Sequence, residues 1–327
     1  MRNRPKGNYL SASRIKSMEA CSWAYWCNYH LKIPQPPSDA LAMGSICHGL
    51  FEILQLPENK EHYDLVVANK TFEASTLAEK YMLDGIEKYN LSEDHYHLMN
   101  KMILVGLNED FYVDGCSELL EPEFDFDISG EDYDYRVYGL MDKIAIFKKE
   151  KVVEIHDYKT SKQKFKGDDL NSNIQAMMYS LAAKKLWPKL KPIVKFVFLR
   201  FPKATIQQLE FSDDALKGFE AYLEEYYKKL IGYDKEDAVS NFAADNPKPS
   251  DGGWGGCLNC GFARYEGHLK KDGTEMWACP YKFGRVYYAI KDSEDKVRKT
   301  SLNQEDLKPK KGEKLVKMTY KGCPKFA

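Results

Sequence analysis

The chain predicts an α/β protein: a β-sheet core flanked by helices, with a helical N-terminal region and a cysteine-bearing C-terminal segment. Three observations predict it. Apolar residues recur at helical spacing through the first third of the 327 residues. From Leu120 the pattern changes to period-two alternation, and beyond residue 150 strand-like and helix-like runs alternate. A three-part division follows: a helical region over 1–114 carrying Cys21 and His48, a sheet core over 115–245, and a cysteine-rich segment with a basic tail over 246–327.

Taken in order, "LSASRIKSMEACSWAYW" opens with Ser11 or Ser13 as N-cap, followed by Ile15, Met18, Ser22 and Trp26 at near-helical spacing. The proline-rich "KIPQPPSD" breaks the chain before a second helix over 40–56. Residues 60–114 read as mostly helical. "EPEFDFDI" alternates Phe124, Phe126 and Ile128 with acids, as a half-exposed strand does. "SGED" is a turn, and "YDYRVYGLMDKIAIF" resumes as a second strand, predicting a hairpin. After "KKEK" comes the strand "KVVEIHDYKTSK". A helix over 170–187, strands in "PIVKFVFLR" and "ATIQQLEF", and a helix over 213–232 complete the core. The Gly-rich "SDGGWGGCLNCG" opens the last segment.

The composition, 43% hydrophobic and 13% aromatic, is that of a globular protein and excludes a disordered one. A net charge of −1 announces no polyanion partner for the whole molecule, but the distribution is uneven. Residues 112–135 hold nine acids and no Lys or Arg, whereas 296–327 hold ten Lys/Arg against three acids. No apolar run follows the basic N-terminus and no stretch has the length of a membrane span. A cytoplasmic protein without membrane association is therefore expected.

The chemistry concentrates in "KVVEIHDYKTSK". Residues of equal parity share a strand face, so Val153, Ile155, Asp157 and Lys159 line up, while His156 points the other way. The strand ahead supplies Asp142, fifteen residues before Asp157 across a basic turn. Antiparallel pairing brings the two carboxylates side by side, where they repel unless a divalent cation joins them. Hard oxygen ligands suit Mg²⁺ or Mn²⁺. Lys159, on the same face, is placed to help deprotonate an attacking water or to stabilise developing charge on a phosphorane.

Asp142, Asp157 and Lys159 in "GLMDKI…HDYKT" resemble the signature of the PD-(D/E)xK nuclease superfamily, in its RecB-like branch with the CRISPR-associated RecB-type nucleases and the AddB helicase-nuclease subunit. "MGSICHGLFE" is similar to that branch's upstream helical motif, which implies His48 as a metal ligand. "NIQAMMYSLA" resembles the downstream Gln-x-x-x-Tyr motif, mapping to Gln175 and Tyr179, whose i, i+4 spacing shares one helical face toward the active site or the DNA. The resemblance implies a restriction-endonuclease-like mixed sheet and one or two Mg²⁺ or Mn²⁺ ions on His48, Asp142, Asp157 and the backbone carbonyl of Tyr158. It also implies an acid ahead of the hairpin, Glu121 or Glu123. The implied activity is a DNA nuclease of recombination, repair or replication, most often an exonuclease on single-stranded ends. The competing reading is a catalytically silent nuclease-fold DNA-binding or scaffold subunit. No "GxxxxGK[ST]" is present, so any unwinding belongs to a helicase or recombination partner.

Eight cysteines in a chain expected to be cytoplasmic favour metal ligation over disulfides. "CLNC" sets Cys257 and Cys260 at chelating spacing, and Cys279 follows in "WACPYKF". The resemblance implies a 4Fe-4S cluster on Cys21, Cys257, Cys260 and Cys279. Against the compact family spacing, eighteen residues separate Cys260 from Cys279, as an inserted hairpin would. The alternative is Zn²⁺ with Cys323 or His268 as fourth ligand. Cys27, Cys47 and Cys116 read as core or incidental.

Overall fold

The computed structural model describes residues 6–235, 238 and 260–326. In chain order it contains helices α1 (Ala12–Ala20), α2 (Ser22–Tyr25), α3 (Asp39–Gln55), α4 (Lys60–Asn69), α5 (Thr76–Tyr89) and α6 (Glu93–Asn108). Strands β1 (Glu118–Leu119), β2 (Phe124–Ser129), β3 (Arg136–Met141), β4 (Lys143–Phe147) and β5 (Val152–Lys159) follow. Then come α7 (Asp168–Asn171), α8 (Ile174–Leu186), β6 (Lys191–Phe198), β7 (Ile206–Leu209) and α9 (Asp213–Ile231), and finally β8 (Phe283–Lys291), β9 (Val297–Ser301) and β10 (Lys314–Gly322). Among the described residues no single helix is long and apolar enough to cross a membrane.

The chain divides into two compact units that cut across the linear three-part division: residues 1–12 with 37–230, and 13–36 with 231–327. The physical reason is burial. Helices α3–α6 and the sheet share one apolar core, whereas the 13–36 segment buries Trp23 and Cys27 among Tyr281, Tyr287 and Tyr320 of the C-terminal segment.

In the first unit a mixed five-stranded sheet runs β1-β4-β5-β6-β7, with β5 and β6 parallel and the other pairs antiparallel. A parallel pair needs a crossover, and α8 makes it. On β5 the parity of the sequence holds. Tyr158 lies in the core with Phe51 of α3, ring centroids 4.3 Å apart, while Asp157 faces Tyr179 of α8. His156 and Glu154 share the face opposite Asp157, joined at 3.0 Å. Helix α3 forms where the proline run ends; Ala42, Met43, Ile46, Cys47, Leu50 and Leu54 make its buried stripe.

One expectation needs correction. Residues 133–147 are not one strand: the chain breaks at Asp142, with β3 pairing β2 and bridged by Leu10 at Val137, and β4 joining the large sheet. Asp142 leaves the ladder because its side chain accepts the Tyr158 N–H at 2.8 Å, standing in for a backbone partner. Likewise the basic "tail" is sheet: β9 and β10 flank β8 in a three-stranded antiparallel sheet of the second unit.

Candidate metal centre

Two strand registers meet at Asp142. The hairpin pairs Phe124 with Met141, so one further step sets Glu123 opposite Asp142, and Glu123 N–H donates to Asp142 O at 3.0 Å. The sheet pairs Lys143 with His156, so one step back sets Asp157 opposite Asp142. Helix α3 adds His48 from above, its Nδ1 3.2 Å from Asp142 Oδ2. Four residues earlier, Gly44 lets the same helical face approach the end of β5; a Cβ there would lie 3.4 Å from Thr160 Oγ1. One ligand atom each from His48, Glu123 and Asp142 lies within 4.8 Å of the others.

Asp157 is held beside this group. Its Oδ1 accepts Gln175 Nε2 at 2.7 Å and lies 3.0 Å from the Tyr179 hydroxyl, which also reaches Leu140 O at 2.8 Å. Lys159 Nζ is 2.5 Å from Asp157 Oδ2 in ion-pair contact and 2.9 Å from Gln175 Oε1. That Oδ2 is buried, and the Lys159 ammonium is its ion-pair partner. Gln175 thus clamps the acid and the lysine with its two amide ends. The Tyr158 N–H points toward Asp142, and in an extended strand its carbonyl faces the same edge.

The charges perturb one another. Burial opposes protonation of His48, but the adjacent Asp142 carboxylate, with Asp157 behind it, carries the ring up to about 9. Burial works against ionisation of Asp142 too, and is outweighed by His48, the Tyr158 N–H and Lys159, so its carboxyl titrates below the usual value. Asp157 is raised, chiefly by burial, with Asp142 adding like-charge repulsion against Lys159. Lys143, next to Asp142 but of opposite parity, is buried and donates to Phe111 O at 2.5 Å; burial pushes it down to about 7. Two carboxylates and an imidazole gathered at a half-buried edge, with Asp157 beside them, make a hard donor set that fits a divalent cation.

The structure therefore brings together His48, Asp142, Asp157, Lys159, Gln175, Tyr179 and the Tyr158 backbone. It also distinguishes Glu123, half-buried at the edge of the group, from exposed Glu121. The signal that separates them was the hairpin register, since pairing 124 with 141 delivers position 123 and not 121 to Asp142.

Cys21, Cys27, Cys260, Cys279 and Cys323 belong to the second unit, described by itself, whereas Cys47 and Cys116 lie in the first. Cys27 and Cys323 are buried, with Cys21 and Cys279 packed against the same cluster. Cys279 N–H donates to Cys260 O at 3.0 Å across the Gly261–Ala278 bridge, the base of the inserted hairpin. Burial pushes the Cys27 thiol up to about 12, and Cys279, Cys323 and Cys21 each add to the rise. Cys257 lies outside the described residues. His268 sits out on the hairpin, its Nδ1 accepting Arg264 N–H at 3.2 Å.

A sequence model of the PD-(D/E)XK nuclease superfamily matches residues 9–265. No curated protein matches the chain. Among solved structures, the crystal structure of protein VC1899 from Vibrio cholerae is similar at 11% identity and a TM-score of 0.22, over 68% of this chain. The match spans 58% of that structure's chain.

Proposed function

The chain belongs to the PD-(D/E)XK nuclease superfamily, and from that premise we propose that it is a Mg²⁺- or Mn²⁺-dependent deoxyribonuclease, acting as an exonuclease on single-stranded ends in DNA recombination, repair or replication. The observation that carries the reading is the convergence at Asp142, where two strand registers and α3 deliver Glu123, Asp157 and His48 to one edge, with Lys159 alongside. His48, Glu123 and Asp142 would hold the cation, with Asp157 and the Tyr158 carbonyl at its margin. Bound there, the ion would polarise the scissile phosphate and make a nucleophile available at neutral pH. Lys159, fixed between Asp157 and Gln175, sets a positive charge where a phosphorane collects negative charge. Tyr179 and Gln175 keep the Asp157 carboxylate in one orientation.

The test is direct. End-labelled single- and double-stranded DNA is incubated with Mn²⁺ and the wild type, Asp157→Ala or Lys159→Ala, with EDTA as control. Cleavage that survives Asp157→Ala rejects the assignment, and binding without cleavage under any metal points to a scaffold subunit.

In the second unit the reading extends to a 4Fe-4S cluster on Cys21, Cys257, Cys260 and Cys279. The soft donor set and the shared buried cluster of Cys21 and Cys279 support a thiophilic group. Zn²⁺ is the alternative, and Cys323, packed in the same cluster, favours it over His268 as the added ligand. Iron and zinc content of anaerobically purified protein decides: stoichiometric zinc in a colourless protein without iron removes the cluster.

A further inference from the structure

Past their C-terminal ends, the parallel strands β5 and β6 run into two loops, 160–167 and 199–205, on the same edge of the sheet. These loops carry Lys162, Lys164, Lys166, Arg200 and Lys203 and no acidic residue. In a chain of net charge −1 that is a concentrated excess, and it borders the acidic centre, because Lys159 and Thr160 join the two regions.

The loops are built, not slack. Phe165 N–H donates to Gln207 Oε1 and Gln207 Nε2 donates back to Phe165 O, both at 3.1 Å. The Phe165 ring packs edge-on against Phe196 and Phe198, with centroids 4.9 and 5.4 Å away. Arg200 Nε donates to Thr160 O at 2.8 Å and ties one loop to the other, and Lys164 Nζ does the same by bonding Ala204 O. Thr205 Oγ1 closes the second loop on Phe201 O at 2.9 Å. Arg200 and Lys164 are thus half-buried struts. Lys162, Lys166 and Lys203 are left exposed, with no acidic partner among the described side chains.

Cations gathered on two tied loops repel one another, and the backbone of a polyanion relieves that repulsion. We infer that this loop pair is a phosphate-binding track which grips the backbone of the nucleic-acid strand beside the scissile bond, with Lys162, Lys166 and Lys203 as its contacts. The inference rests on the nuclease reading for the identity of the polyanion. Contacts of this type position a strand without reading its sequence.

The measurement is fluorescence anisotropy of a labelled single-stranded DNA with the full chain in EDTA, across a salt series. The Lys162→Ala/Lys166→Ala/Lys203→Ala variant should bind at least about tenfold more weakly at low salt. Its log–log salt slope should fall by about 2, since each phosphate contact on a single strand contributes about 0.7. The Lys→Arg triple at the same positions should restore both. The Lys70→Ala/Lys80→Ala/Lys88→Ala variant removes equal charge from the C-cap of α4 and from α5 and should keep the wild-type slope. A wild-type slope in the track variant, or an equal loss in the charge control, overturns the track. The two readings separate cleanly. If wild type cleaves but the track variant binds normally, the track fails alone; if wild type binds through the track and never cleaves, the nuclease reading fails alone.

Discussion

Raising the pH of the metal-free protein should destabilise it through His48. The ring nitrogen lies 3.2 Å from Asp142 Oδ2, and the carboxylate overcomes burial to carry the imidazole from 6.5 to about 9. The same contact lowers Asp142, so the pair is counted once. A folded-state pKa above the unfolded one means the contribution is complete below pH 6.5 and is lost as the pH climbs through about 9. That rise, at ~1.4 kcal/mol for each pH unit, is roughly 3–4 kcal/mol. A divalent cation inverts the dependence, because it requires the neutral ring. Near pH 7 its binding must expel about one proton, and affinity should climb about tenfold per pH unit until about pH 9. Urea denaturation of EDTA-treated protein measures the first effect. Calorimetric titration of Mn²⁺ in two buffers of different ionisation enthalpy measures the second, and His48→Gln should remove both. Flat stability over that range, together with metal binding that releases no proton, would refute the reasoning.

Three further outcomes are expected. Glu123→Gln should raise the Mn²⁺ dissociation constant by about tenfold or more while leaving the fold intact, whereas Glu121→Gln should leave it unchanged; calorimetry of the two variants compares them. Gln175→Leu releases both Asp157 and Lys159, so kcat on single-stranded DNA should fall about 10–100-fold with KM nearly constant, and a matching rise in KM would contradict a positioning role. At acid pH, burial holds His156 below 6.5, against its bond to Glu154. The unfolded chain therefore takes up the proton first and stability drops as pH falls below 6.5; His156→Gln should flatten that limb in denaturation curves at about pH 7 and about pH 5.

Much of the centre was legible because β-strands obey parity. The face shared by Val153, Ile155 and Asp157, the opposite placement of His156, and the pairing of Asp142 with Asp157 all follow from period two and one turn. The helix over 40–56 was legible from its apolar stripe and the prolines before it, and α3 occupies Asp39–Gln55. The break at Asp142 was not legible. Local propensity over 133–147 is continuous, and the interruption arises from a tertiary bond to the Tyr158 amide. The choice of Glu123 over Glu121 needed the register of a hairpin whose turn length the residues alone leave open. The union of the 13–36 segment with the C-terminal segment was likewise out of reach of local pattern, because Trp23 Nε1 finds the Tyr320 hydroxyl almost three hundred positions away, at 2.9 Å.

The hand-over at Asp142 makes the connecting turns unequal in what they tolerate. Lengthening the 130–135 turn only extends the far end of the hairpin, since β2 and β3 meet Asp142 at the other end. The 148–151 turn is a gauge: its four residues, with Lys151 in the left-handed region, set the phase between β4 and β5. One residue more or less there would rotate the facing set, presenting Tyr158 or His156 where Asp157 now stands opposite Asp142. The family's chemistry in this chain is thus written partly as a distance along the backbone, and a deletion far from any charged side chain of the centre would erase it as surely as removing the aspartate.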